Sequence, residues 1–174
     1  MSMCLVALDQ HPEQKRLVAT NPSLIPAMTE EVLRWSTIAQ VLRRHVVVDT
    51  ELAGSRLAAG DVVYLVLGAA NRDPSRWPDA DRFDISRAPK THLGFGHGAH
   101  LCLGIHLARL EARIGLERLL AVAPDFRLRD VSFHGTVGLR GPDSGTVVPG
   151  KAAPGSPSLG VSALNARPPS KENP

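Results

Sequence analysis

The feature that most constrains this chain is a glycine-rich stretch, Phe95-Gly96-His97-Gly98-Ala99-His100-Leu101-Cys102-Leu103-Gly104, that runs directly into a long amphipathic segment. There Ile105, Ala108, Ala112, Leu116 and Leu119 repeat at helical period, Arg109, Glu111, Arg113, Glu117 and Arg118 fall on other faces, and Pro124 ends the pattern. A cysteine in that position has backbone N–H groups and the positive end of a helix dipole beside it. Both favour thiolate over thiol and make the sulfur a soft-metal ligand. Gly98 permits a bend with positive φ, Gly104 lets something flat and wide approach the backbone, and Phe95 offers a ring to cover the sulfur from water. A lone cysteine is ordinarily a buried structural thiol; the surroundings of Cys102 describe a protected, metal-binding thiolate instead.

Upstream, apolar residues at Met3, Leu5, Val6 and Leu8 are separated by His11-Pro12 from Leu17 and Val18, which predicts one helix followed by a short second one. After Pro26, Met28, Val32 and Trp35 sit at helical spacing with Glu30 and Glu31 early and Arg34 late, predicting a helix over 27–35. From Arg44 the pattern turns β-rich. Segments 45–48 and 62–67, separated by Gly54 and the Gly60-Asp61 turn, predict a hairpin. Residues 71–89 are dense in Pro, Asp and Arg and carry Trp77 and Phe83, the composition of an irregular segment pinned by a few large side chains. From Gly141 onward Gly, Pro, Ser and Ala dominate without periodicity, so a folded region 1–140 is expected to be followed by an unstructured tail, 141–174. The fold class expected is mainly α with a small β-sheet (α+β).

Composition narrows the function classes. With 174 residues, 43% of them apolar, the chain can bury one ordinary core. Its net charge of +3 comes from scattered basic residues, which excludes a phosphate-tracking surface and with it nucleic acid. Cys4 and Cys102 are distant in sequence and fit free thiols in a reducing compartment, Cys4 reading as a core thiol of the first helix. No apolar run approaches the roughly eighteen residues of a membrane span. The stretch from Met3 to Leu8 lacks the basic flank and cleavage site of a signal peptide, so the expectation is a cytoplasmic protein without a membrane partner. His92, His97, His100 and His106 surround one cysteine at spacings that match no standard zinc arrangement.

Residues 95–104 resemble the haem-binding loop of the cytochromes P-450, Phe-x-x-Gly-x-basic-x-Cys-x-Gly, at every fixed position, with His100 as the basic residue. Glu31-Val32-Leu33-Arg34 resembles the family's Glu-x-x-Arg helix motif at a family-like interval upstream. Alone, such a pair is an ordinary surface contact between residues on one helix face. The resemblance implies the C-terminal part of the cytochrome P-450 fold and haem b (iron protoporphyrin IX), with Cys102 as the axial ligand of the iron. It also implies His100 and Arg44 at the propionates, with Arg43 the adjacent alternative, and Phe95, Gly98 and Gly104 shaping the loop. A buried triad of Glu31, Arg34 and a third arginine is implied as well, with Arg82 in that place and Arg87 as the fallback. The activity implied is insertion of one atom of O2 into a small organic substrate, with electrons from a ferredoxin-like or flavoprotein donor. Arg109 and Arg113, one helical turn apart, are candidate docking residues, and a solvated charged face shared with Glu111 and Glu117 is the alternative. The resemblance covers residues 3–144. Family members are considerably longer, and the acid-alcohol pair of their oxygen-activating helix, in a pattern like Ala-Gly-x-Glu/Asp-Thr, is not found, so the N-terminal half is expected to be absent and no catalytic residue is assigned. Two readings follow: a piece of a haem-thiolate monooxygenase, and a truncated, non-catalytic remnant with weak or no haem binding.

Overall fold

The structure, a computed structural model, describes residues 1–87, 91–133 and 138–150. Helix α1 (Ser2–Gln10) gives way to α2 (Pro12–Thr20) at His11, whose backbone (φ −125°, ψ 75°) leaves the helical region. Pro12 then opens the second helix, where its missing N–H is no loss. A 3-10 turn, Pro22–Leu24, leads into α3 (Ile25–Trp35). The break at His11-Pro12 thus falls where the sequence places it, while α3 begins two residues early because Pro26 sits inside its first turn.

Among the described residues three two-stranded antiparallel ribbons follow, all small. β1 (Val41–His45) pairs with β4 (Val62–Val66), Val41 opposite Val66 and His45 opposite Val62. The hairpin exists, but its first strand ends where 45–48 was expected to begin it: Val47 and Val48 lie beyond the pairing, 88% and 66% exposed. β2 (Thr50–Leu52) and β3 (Ser55–Leu57) form a second ribbon, turned by Ala53 and Gly54 at φ 49° and 80°. Positive φ at both central residues is the backbone of the tight turn that matches strand twist. α4 (Leu67–Ala70) comes directly after β4. The described part of the irregular segment, 71–87, buries Trp77, Phe83 and Ile85 as expected.

After a second 3-10 turn, Gly98–His100, comes α5 (Ile105–Val122). β5 (Arg127–Ser132) then pairs with β6 (Ser144–Val148). This corrects the expectation of an unstructured chain from Gly141: Ser144 to Val148 carries no periodicity, and its order comes from its partner strand rather than from a local pattern. Residues 151–174, the rest of that expected tail, lie outside the described residues.

The helices close over one core in which Ala7, Leu8, Val18, Ile25, Met28, Leu116 and Phe126 have no exposure. From α5 the buried set is Ala112, Leu116 and Leu120, so the core-facing stripe runs one residue past the expected Leu119. A different stripe of the same helix region stays open: Leu103, Leu107, Leu110 and Ile114 are 100%, 59%, 44% and 47% exposed. Lys15, buried at the core's edge, donates its ammonium to the Phe126 carbonyl and sits 4.5 Å from that ring's centroid. Burial lowers its pKa from the ordinary value, and Asp9 opposes that shift. Cys4 is buried, and burial pushes its thiol up to about 11. Among the described residues no helix is long and apolar enough to cross a membrane.

Candidate functional site

Beneath the cysteine loop lies a buried arginine. Arg34, 1% exposed, uses all five N–H donors of its guanidinium: two to Glu31 (2.7 and 2.8 Å) and the others to the carbonyls of Asn71, Ala80 and Arg82 (3.0, 2.7 and 3.1 Å). Burial of such a charge is tolerated only when every donor is met, and here each is. Glu31 in turn accepts the Asp84 N–H at 3.0 Å and Arg87 Nε at 3.4 Å. The third arginine at this carboxylate is therefore Arg87, not Arg82. The side chain of Arg82 is 67% exposed and lies 3.9 Å from Asp84, and it is the Arg82 carbonyl that meets Arg34. Arg87 extends the lock by donating to the Pro78, Asp79 and Arg82 carbonyls, fastening α3 to the irregular segment.

The loop is hung from that base at its start. The Leu93 N–H donates to Asn71 Oδ1 at 2.7 Å, and Asn71 Nδ2 donates to Thr37 at 2.8 Å. Gly94 passes so close to α3 that a Cβ there would lie 2.9 Å from the Leu33 carbonyl. A side chain at this position would force the loop away. The Gly94 N–H donates to His92 Nδ1 at 3.0 Å, and His92 Nε2 meets Glu30 at 3.1 Å. Arg109 of α5 clamps the same carboxylate with two bonds of 2.8 and 2.7 Å. Burial would push the Glu30 carboxyl up, but hydrogen bonds from His92 and Arg109 and the charge of Arg109 hold it down, at about 2. His92, Gly94 and Glu30 did not figure as site residues in the sequence; the bare signal was their adjacency to the two motifs.

Further along, Gly96 and Gly98 take φ of 77° and 70°, and the Cys102 N–H closes the loop onto the Phe95 carbonyl at 2.9 Å. Cys102 is exposed. A Cβ on Gly98 would meet nothing within 4 Å, and one on Gly104 only the Cys102 sulfur at 4.0 Å, so the backbone beside the thiol is open to a flat group. The Phe95 ring is engaged by Arg109, 5.2 Å from its centroid, and by His92, 6.3 Å away between ring centroids. His100 ends the 3-10 turn before the cysteine, exposed. Arg44, in β1, donates Nη1 to the Arg43 carbonyl at 2.9 Å. Arg109, its side chain 41% exposed, is paired with Glu30, whereas Arg113 is exposed. A cavity of about 580 Å³ opens between α3, the loop and α5, lined by Glu30, Trp77, His92, Phe95 and Arg109 among others; Cys102, His100 and Arg44 do not line it.

Comparison with known proteins bears on what such a loop does. The family model described as Cytochrome P450 matches residues 8–125. The chain is 46% identical over 134 residues to the biotin biosynthesis cytochrome P450 of Bacillus subtilis (strain 168), a match covering 77% of this chain and 34% of that protein. It is 43% identical over 131 residues to cytochrome P450-terp of Pseudomonas sp, covering 75% and 29% respectively. Among solved structures, P450BioI in complex with hexadec-9Z-enoic acid ligated acyl carrier protein is similar at a TM-score of 0.80 and 43% identity, over 84% of this chain and 38% of that one. The chain spans about a third of the length of the curated relatives it matches.

Proposed function

This chain belongs to the cytochrome P450 family, and we propose that it is the thiolate-bearing part of a haem monooxygenase in which Cys102 is the axial ligand of the iron. The observation that carries this reading is the exposed Cys102 thiol beside two glycines whose missing Cβ atoms leave open space. A flat macrocycle needs an accessible soft ligand and no side chains in its way. Leu101 and Leu103, 50% and 100% exposed, offer it apolar contact. The other thiol, Cys4, is buried in α1, which leaves none at the loop for a covalent thioether and favours the non-covalent haem b.

A thiolate-ligated haem iron, when bound, activates O2 so that one oxygen atom is inserted into a small organic substrate. The chain's own residues hold and orient. The Phe95 carbonyl fixes the Cys102 backbone, Gly98 supplies the bend before it, and Gly104 keeps the approach clear. His100 and Arg44 are assigned to the two propionates, one as a hydrogen-bond donor and one as a cation. Glu31, Arg34 and Arg87 keep α3 and the irregular segment in place beneath the loop. The proposed setting is the cytoplasm.

Electrons come from a ferredoxin-like or flavoprotein donor docking at the α5 side of the loop. Arg113 is the informative residue there, because changing Arg109 would also break its Glu30 clamp. Arg113→Glu is expected to slow electron transfer from such a donor most at low ionic strength. Equal transfer rates at every salt concentration would remove Arg113 from the docking surface.

A second reading takes the polypeptide by itself as non-catalytic, taking up haem weakly or not at all. Expression with haem supply separates the two. Reduced protein plus CO should give the strongly red-shifted Soret band of thiolate-ligated haem, and Cys102→Ala should abolish it. Haem binding that survives Cys102→Ala sinks the ligand assignment, and no haem uptake by the parent chain leaves the second reading standing.

A further inference from the structure

His92 is 94% withdrawn from solvent by its side-chain exposure of 6%, yet both of its ring nitrogens are spoken for by neighbours that differ in kind. On one side is the backbone N–H of Gly94, 3.0 Å from Nδ1, which can only donate. On the other is a Glu30 oxygen, 3.1 Å from Nε2, on a carboxylate that Arg109 holds with two further bonds. The tautomer follows from the partners: Nδ1 must carry the lone pair and Nε2 the proton. A carboxylate that orients one face of an imidazole so that the other face acts is a recurrent way of fixing a ring.

What that other face does is local. An acceptor two residues before a backbone N–H makes the turn that Asn and Asp side chains usually make. Here the turn sits at Gly94, which is pressed against the Leu33 carbonyl of α3 and begins the loop. The next residue, Phe95, accepts the Cys102 N–H and stacks beneath the Arg109 guanidinium. We propose that His92 is a positioning residue for the thiolate loop: oriented by Glu30 and Arg109, it fixes the Gly94 N–H and through it the Phe95 carbonyl that receives the Cys102 N–H. The assignment of that loop to haem ligation rests on the function proposed above; the positioning itself does not.

The two hydrogen bonds of His92 are separable by substitution. His92→Asn keeps an acceptor where Nδ1 was and loses the reach to Glu30. His92→Gln keeps a donor near the Nε2 position and loses the acceptor, and His92→Ala loses both. Amide hydrogen exchange of the full chain without haem should show Gly94 and Cys102 exchanging about tenfold faster in His92→Gln and His92→Ala, the loss of roughly one hydrogen bond. His92→Asn should stay near the parent. Any other ordering, in particular a slow Gln variant or a fast Asn variant, overturns the inference. Haem-loaded samples give the second readout: the share of thiolate-type Soret band in the reduced CO form should follow the same ordering, Asn above Gln and Ala. If the parent shows no thiolate band while the exchange ordering holds, the haem reading falls and the positioning role stands. If the parent shows the band and the exchange ordering fails, the positioning role falls alone.

Discussion

Glu31 accepts from four donors: two on Arg34, the Asp84 N–H and Arg87. Truncating it would strand a fully donating guanidinium that is 1% exposed. Glu31→Ala is therefore expected to cost about 3–5 kcal/mol in urea unfolding, the penalty of an unpaired buried charge. Arg82→Ala should stay within about 1 kcal/mol, because its side chain makes only an exposed contact and its carbonyl survives the change. A loss at Arg82 as large as that at Glu31 would return it to the triad. The sequence named Glu31 and Arg34 because their spacing places them on one helix face. It misplaced the third arginine because an irregular segment has no period from which to read which side chain turns inward. The two thiols differ just as plainly. With burial raising Cys4 to about 11, a neutral-pH alkylating agent should label the exposed Cys102 in the native chain and reach Cys4 only after denaturation. Rapid native labelling of Cys4 would contradict the core.

Between elements, the contact of most consequence is the Glu30 bridge from α3 to Arg109 on α5. Its carboxyl lies at about 2 in the folded chain against an ordinary 4.5, so the folded state holds its proton less tightly than the unfolded one. The bridge's stabilisation is thus fully present above about 4.5 and is lost as pH falls from there toward about 2. The stability difference between the parent and Glu30→Gln should shrink across that window, and a difference that stays constant through it would show that Glu30 is not the titrating group. The helices were legible at this scale because burial of one face imposes a 3.6-residue period. β6 was not: Ser144, Thr146, Val147 and Val148 pair with β5 through backbone groups that any residue carries. Deleting residues from Ser144 onward is expected to unpair β5 and lower the melting temperature, since a lone strand beside the core gains little from its own hydrogen bonds. An unchanged melting temperature would make β6 dispensable.

For the molecule as a whole, α5 is apolar on two sides. One side closes the core through Ala112, Leu116 and Leu120, and the other presents Leu107, Leu110 and Ile114 to water, continued before the helix by Leu103. An apolar stripe of that length on a free chain promotes association. Leu107→Gln with Leu110→Gln should lower the apparent mass in sedimentation at micromolar concentration while leaving urea unfolding nearly unchanged; a parent chain that sediments as a monomer would refute this. The cysteine loop itself was readable from residue types alone, since glycines at positive φ and a cysteine before a helix are local facts. The support beneath it was not, because Asn71, His92 and Arg109 reach the loop or its anchor from separate parts of the chain.

The bond from Lys15 to the Phe126 carbonyl joins residues 111 positions apart. Leu8 and Val18 likewise share one cluster with Leu116 and Phe126. A ribosome adds about 5–20 residues per second, so roughly 5–20 s pass between making Lys15 and making the Phe126 carbonyl that it holds. During that interval α1 and α2 can pack on each other and on α3, whose Ile25, Met28 and Val32 belong to the same cluster, while the side of the core that Leu116 and Phe126 complete stays open. Order of synthesis, as well as strength of contact, thus decides when this part of the core can close.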